Sequence, residues 1–412
     1  MSNLQENKRW KQKHKFKELK KLHKEQNLEK KLEKQKKREA QEQISQKPTV
    51  PSKPVSTVSI AVPGSILDNA QSQELRTYLA GQVARAACIF KVDEVIVFDD
   101  YGLTSSLSKR SRVDEINEDG EQIRHCCVQF ARILQYLECP QYLRKFFFPL
   151  HKDLKLSGLL NPLDAPHHLR QQNDFIYREG VVTNKPPKDT KGSYVNIGLL
   201  NDCLVDKILQ VGLRVTVKLA ASQDLKSRKL KGVIVSPSEP RNETGVYWGY
   251  TVRIAKSLSD IFLKSPYENG YDLTIGTSDK GESIYTVEKD SLTYNHALIV
   301  YGGLQGLESA AENDDKLNVE DPSLLFDHYL NAVPCQGSRT IRTEEAILIS
   351  LASLQDKLQP NVRPKEFNLS ESIPQSEDTG VKQFEHKLPK DRNVSQPNTS
   401  KSQPDQDLSR FD

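Results

Sequence analysis

Residues 331–345 read N-A-V-P-C-Q-G-S-R-T-I-R-T-E-E, so hydroxyls, amides and two arginines crowd into one turn-forming segment. The segment runs straight into Ala346-Ile347-Leu348-Ile349-Ser350-Leu351, which reads as an apolar helix. A helix start offers free N–H groups and the positive end of a dipole, which makes it a cradle for an anionic or dipolar ligand. Two more segments, Ile275-Gly276-Thr277-Ser278 and Tyr301-Gly302-Gly303-Leu304-Gln305-Gly306, each follow a strand-like run. Three such loops point to one shared site.

Strands and helices must position these loops. Residues 57–62 form a short buried strand that Pro63-Gly64 ends. Ser72 caps a helix whose apolar positions Leu75, Leu79, Val83, Ala86 and Ala87 recur at helical spacing. Residues 94–98 give the next strand, a polar loop covers 99–120, and a second helix spans 123–137. This order of strands and helices argues for a parallel α/β sheet. Composition changes near Arg178. Short strands with turn signals follow at 193–197, 213–219, 232–236 and 246–248, the pattern of a small inserted β-barrel of the oligonucleotide-binding (OB) type. The α/β pattern resumes at 271–275, 297–301 and 324–333, and a last helix spans 343–354. The predicted organisation is a basic arm and linker (1–55), a first α/β part (56–178), the barrel (179–249), a second α/β part with the loops (250–358) and a disordered tail (359–412).

A chain of 412 residues with 36% hydrophobic and 28% charged content suits two compact domains plus unpacked tails. Residues 1–47 hold 16 Lys/Arg against 7 Asp/Glu, a net of +9. The whole chain carries +4, so the remainder carries −5. Residues 8–43 lack Pro and Gly but show no sustained apolar stripe, so the arm reads as solvated and partly helical rather than as a coiled coil. It is either a solubilising tail or a nuclear, nucleolar or nucleic-acid-binding arm. Past Pro360 the polar, proline-containing composition predicts disorder. Cys88, Cys126, Cys127, Cys139, Cys203 and Cys335 form no C-x-x-C pair, which argues for buried reduced thiols in the cytosol or nucleus and against structural zinc. No apolar run reaches 18 residues and no signal peptide is evident, so neither a membrane span nor secretion is expected. His167-His168 has no further metal ligands nearby and reads as loop packing or RNA stacking. Tyr247-Trp248-Gly249-Tyr250 either stacks on bases or fills a core, and Phe146-Phe147-Phe148 reads as core or dimer interface.

Several long segments resemble the SPOUT superfamily of RNA methyltransferases, in the eukaryotic and archaeal branch with an inserted OB-like domain. They are Pro63-Gly64-Ser65-Ile66-Leu67-Asp68-Asn69-Ala70, residues 75–86 (LRTYLAGQVARA), residues 133–145 (ILQYLECPQYLRK), residues 158–164 (GLLNPLD), residues 270–278 (GYDLTIGTS) and the opening stretch. The resemblance covers roughly residues 57–355. It implies a C-terminal trefoil knot, S-adenosylmethionine as methyl donor, a homodimer and an RNA base as substrate. The relatives point to 3-methyluridine formation in large-subunit (28S) ribosomal RNA. The resemblance also implies association with spindle and kinetochore in mitosis, while the arm and the cysteines carry the expectation of a nuclear or nucleolar and cytoplasmic protein. A fold-retaining scaffold without catalysis is the competing reading.

Within that resemblance the loops acquire roles. Adenosine recognition needs backbone groups in tight loops, and glycine permits the close approach. Thr277, Ser278, Gly302, Gly303, Leu304, Asn331, Ala332, Gln336, Gly337, Ser338 and Thr340 are the expected donor-binding residues. Methylating a uridine nitrogen requires removal of its proton and stabilisation of charge on the ring oxygens. Arg76 is the first choice for substrate contact, with Asp68 and Glu344 as competing bases. Arg85, Arg339 and Arg342 are substrate-binding candidates. For Arg85 a structural ion pair is the stronger reading, and for Glu344 or Glu345 a simple match to the helix dipole.

Overall fold

A computed structural model of the chain describes residues 54–101, 113–116, 122–186, 192–220, 225, 229–317 and 319–366. All of them belong to the unit Met1–Pro374, and the second unit, Gln375–Asp412, lies outside the described residues. So do the basic arm, nearly all of the tail and most of the polar loop 99–120.

The first half of the chain supplies β1 (Thr57–Pro63), α1 (Gln73–Ile89), β2 (Glu94–Phe98), β3 (Val113–Ile116), β4 (Gln122–Arg124), α2 (His125–Glu138) and α3 (Gln141–Phe147). The middle gives β5 (Tyr177–Val182), β6 (Ser193–Asn196), β7 (Cys203–Val205), β8 (Arg214–Leu219), β9 (Lys231–Val235) and α4 (Glu239–Thr244). The last part gives β10 (Thr251–Ala255), α5 (Leu258–Leu263), β11 (Leu273–Ser283), β12 (Leu292–Tyr294), β13 (His296–Val300), α6 (Gly306–Glu312), β14 (His328–Asn331), α7 (Thr343–Leu354) and β15 (Leu358–Pro360).

Six strands build a wholly parallel sheet in the order β10-β2-β1-β13-β11-β14. The sheet is buried on both faces, which is why β1, β2 and β13 read as nearly continuous branched-residue runs. Alternate residues serve the two sides. Ile60, Val62, Val95, Val97 and Ile299 face α1, α2 and α7, whereas Ala61, Ile96, Phe98, Leu298 and Val300 face α5 and α6. Ser72 caps α1 as its sequence predicts, its hydroxyl accepting from the Leu75 N–H at 3.3 Å.

A second, closed barrel has the order β5-β6-β7-β9-β8, with β7 and β9 parallel and every other pair antiparallel. Val195, Ile197, Cys203, Val205 and Val217 fill it. A buried charge network ties the barrel to the sheet domain. The Arg214 guanidinium on β8 donates two hydrogen bonds to Glu138 at the end of α2 (2.7 and 2.9 Å) and one to Glu179 on β5 (2.9 Å). Glu179 also accepts from Trp248 and Thr216, each at 2.6 Å.

The structure corrects several expectations. Residues 246–248 form no strand. Val246, Tyr247 and Trp248 are buried, and Tyr247 and Tyr250 donate to the Val92 and Leu134 carbonyls, so these aromatics are core. The second helix starts at His125, because residues 122–124 pair as β4. Strands β5 and β7 were not expected from composition. Leu358–Pro360, at the edge of the expected tail, pairs in parallel with β12. Cys335 is exposed and Cys88 half-buried, while the other four thiols are buried and all six are free. Both His167 and His168 bond the Glu138 carbonyl (3.0 and 2.6 Å), and no metal-binding cluster exists among the described residues. No helix among them is long and apolar enough to cross a membrane.

Candidate active site

In a parallel α/β sheet, ligands bind outside the carboxyl ends of the strands, where the strand order reverses. Here β1 ends at Pro63, β2 at Phe98, β13 at Val300 and β14 at Asn331, so their following loops share one edge. The order reverses between β1 and β13, whose loops carry Gly64-Ser65 and Gly302-Gly303.

Three hydrogen bonds join the three predicted loops. Thr277 Oγ1 donates to the Val300 carbonyl at 3.1 Å. Asn331 Nδ2 donates to the Asp279 carbonyl at 2.8 Å. Thr343 Oγ1 donates to the Gly302 carbonyl at 2.9 Å. An ion pair between Lys280 and Glu308 (2.8 Å) adds a fourth tie.

The first segment is not a simple loop. Thr277 and Ser278 lie inside β11, which pairs with β14 on both sides of a register shift between Thr277 and Glu282. A bulge of this kind pushes residues out of the ladder without ending the strand. Gly276 is required by packing, since a Cβ there would lie 2.5 Å from the Phe326 ring. In the second loop, a Cβ on Gly302 would press on the Gly306 backbone at 2.8 Å, and one on Gly303 would lie 2.9 Å from Ser65 Oγ. Leu304, at the tip, is 77% exposed.

The polar side chains of the third loop mostly hold the loop itself. Asn331 Oδ1 accepts from the Val333 N–H, Gln336 Nε2 donates to the Ser338 and Arg339 carbonyls, and Ser338 Oγ donates to the Thr340 carbonyl. Ala332 is half-buried, and Gly337 has open space around it. What the loops present outward is therefore largely backbone.

Arg76 and Asp68 form an ion pair at 3.4 Å, each about a quarter exposed. Glu344 does not join them through this pair. It is 8% exposed, at the start of α7, with Arg342 at 4.0 Å. The neighbouring Glu345 accepts from the Arg342 N–H at 3.0 Å and so completes the helix start. Arg339 and Arg342 are exposed. Arg85 donates to the Leu163 and Pro162 carbonyls (2.7 and 3.3 Å), which pins the 160s loop to α1.

Sequence reasoning missed a cluster beside Gly303. Asp100, just past β2, accepts from Ser65 Oγ at 2.5 Å and from the Ser65 N–H at 3.2 Å. Burial pushes its carboxyl up to about 6 against the lowering effect of those bonds. Asp99 is raised by burial too, opposed by Arg124, whose Nε lies 2.8 Å from Asp99 Oδ2. The signal available was the Asp99-Asp100 pair directly after a strand end.

Comparison with known proteins gives matches over the part of the chain that carries these loops. A family model described as "Putative RNA methyltransferase" matches residues 57–354. The 28S rRNA (uridine-N(3))-methyltransferase of Drosophila melanogaster is 63% identical over 328 residues, covering 79% of this chain and 67% of that protein. Proteins of the same description from Mus musculus and Homo sapiens are 55% and 54% identical, covering 75% and 73% of this chain and 78% of each relative. The chain belongs to this RNA methyltransferase family.

Proposed function

We propose that this protein transfers the methyl group of S-adenosylmethionine to N3 of a uridine in 28S ribosomal RNA. The supporting observation is the bonding of three glycine-containing segments into one edge at the carboxyl ends of a parallel sheet. High identity to relatives described as 28S rRNA uridine-N3 methyltransferases supports the substrate.

The residues present fit the donor. Backbone of Gly302, Gly303 and Leu304 and of residues 332–338 would hold its adenosine, with Leu304 as an apolar surface. Thr277, Asn331, Gln336, Ser338 and Thr340 hold those segments in shape. The donor supplies an electrophilic methyl group on a sulfonium. Arg76 stabilises negative charge on the uridine oxygens, and its partner Asp68 takes the N3 proton. The exposed Arg339 and Arg342 meet RNA phosphate. Glu344, buried behind Arg342, serves the helix start rather than the chemistry, and Arg85 serves the 160s loop.

The family resemblance supports a trefoil knot, and Thr343 brings the chain after β14 back onto Gly302. The barrel order, with the first strand between the second and fourth and the third parallel to the fifth, supports an OB-like domain. Exposed Leu75 (52%) and Tyr78 (48%) on α1 and Leu348 (38%) on the adjoining α7 support a homodimer face. The +9 arm supports a nuclear or nucleolar address. Spindle and kinetochore association rests on the resemblance alone.

Incubating the purified full chain with methyl-labelled donor and 28S ribosomal RNA, then digesting and identifying nucleosides by mass spectrometry, tests the reaction. 3-Methyluridine is the expected product. Absence of donor binding by calorimetry would leave the scaffold reading standing instead.

A further inference from the structure

Outside its basic arm this chain is acidic, so the route open to a polyanion across it is restricted. Within residues 139–160 stand four cations, Arg144, Lys145, Lys152 and Lys155, and a single acid, Asp153. Asp153 is buried and paired with Arg132. Lys145, Lys152 and Lys155 are exposed, and among the described residues none has a carboxylate within ion-pair distance. Phe146 is 45% exposed with the Lys145 ammonium 4.9 Å from its ring centre, and Leu150 is fully exposed. The Phe146 ring is thus exposed beside a cation that has no carboxylate partner among the described residues.

This strip links the two parts of the molecule. At one end, Lys155 acts on Glu74, which lies in the first turn of α1 two residues before Arg76. The short helices Lys152–Leu154 and Ser157–Leu159 pack on α2 and α1. At the other end, α3 packs on barrel strand β5, and the Tyr142 hydroxyl donates to the Glu179 carbonyl at 2.7 Å.

We propose that Lys145, Phe146, Leu150, Lys152 and Lys155 form a landing surface for single-stranded substrate RNA between the barrel and the Arg76 end of the sheet. The lysines neutralise successive phosphates, and the Phe146 ring stacks on an unpaired base. This rests on the RNA-methylating function above and adds where the RNA crosses the protein. An RNA strand suits the strip better than an acidic protein, because an exposed ring beside a cation matches a base beside a phosphate.

The test uses the full chain, a fluorescent single-stranded 28S oligonucleotide and anisotropy titrations across salt. The triple variant K145A/K152A/K155A should bind about tenfold or more weakly near 0.1 M salt, with a log–log salt slope shallower by about 2 for three lost phosphate contacts. Phe146→Ala should weaken binding about fivefold or more with an unchanged slope. Calorimetric affinity for S-adenosylmethionine should stay at wild type in both, which reports an intact fold. Unchanged RNA affinity and slope in the triple variant would overturn the surface, while methylation by that variant would leave the function intact. Unchanged RNA affinity with lost binding to polyglutamate would assign the strip to an acidic protein and overturn it as well. A wild-type chain that binds this RNA through the strip without methylating it would sink the function but support the surface.

Discussion

Arg76 and Asp68 share one ion pair near the solvent, so each restricts the other's side chain, and the proposed reaction uses both. Arg76→Ala should lower kcat about 10²- to 10³-fold, the cost of losing one charge-stabilising donor. Donor affinity should be unchanged, as single-turnover kinetics beside calorimetry will show; equal loss of donor binding would place Arg76 elsewhere. Asp100 plays a different part. Its folded-state carboxyl sits at about 6, above its unfolded value near 3.9. Between about pH 4 and 6 the folded chain therefore binds more proton than the unfolded chain, and stability falls as pH rises through that window. Asp100→Asn removes this dependence. The variant should gain on wild type by about 1–2 kcal/mol between pH 4.5 and 7.5, measured by urea unfolding. A constant difference across both pH values would refute burial of the carboxylate as the cause.

At the scale of elements, Arg214 joins α2 to strands β5 and β8. Burial alone would raise Glu138, but the Arg214 guanidinium and His167 pull it down to about 2. That stability is present above the unfolded value near 4.3 and is lost as pH falls from there toward 2. Arg214→Ala leaves two buried carboxylates without their cation. It should cost about 3 kcal/mol, the low end for a broken buried pair because Arg214 is one-third exposed. Hydrogen exchange should quicken in β5 and β8 before the parallel sheet; uniform loss across both would deny the network its joining role. None of this was legible in sequence, since Glu138, Glu179 and Arg214 lie far apart along the chain. The cap at Ser72 was legible, because a helix start is a local event.

For the whole molecule, two predictions concern surfaces. Helices α1 and α7 pack together, and Leu75 and Tyr78 on the first and Leu348 on the second are exposed. Tyr78→Glu together with Leu348→Glu should shift sedimentation from dimer to monomer; a monomeric wild type would remove the dimer. Deleting residues 1–47 should weaken RNA binding and flatten its salt dependence while sparing donor affinity, because the arm carries +9 beside a body of −5. An unchanged salt slope would confine the arm to other roles.

The sequence by itself determined the strands β1, β2 and β13, the capped first helix, three of the five barrel strands and the glycine positions of the three segments. Each depends on local spacing: branched runs for doubly buried strands, period-3.6 positions for helices, glycine where backbones meet. Only the tertiary structure decided what those residues are for. Gly276 answers to Phe326, and Thr277 belongs to a bulged strand whose partners come later in the chain. Arg85 is taken by carbonyls 77 and 78 residues away. Asp100 became visible as a site residue only when Ser65 and Gly303 were brought against it. Spacing along a chain sets what can pair locally, whereas burial and long-range hydrogen bonds decide which polar groups remain free to act.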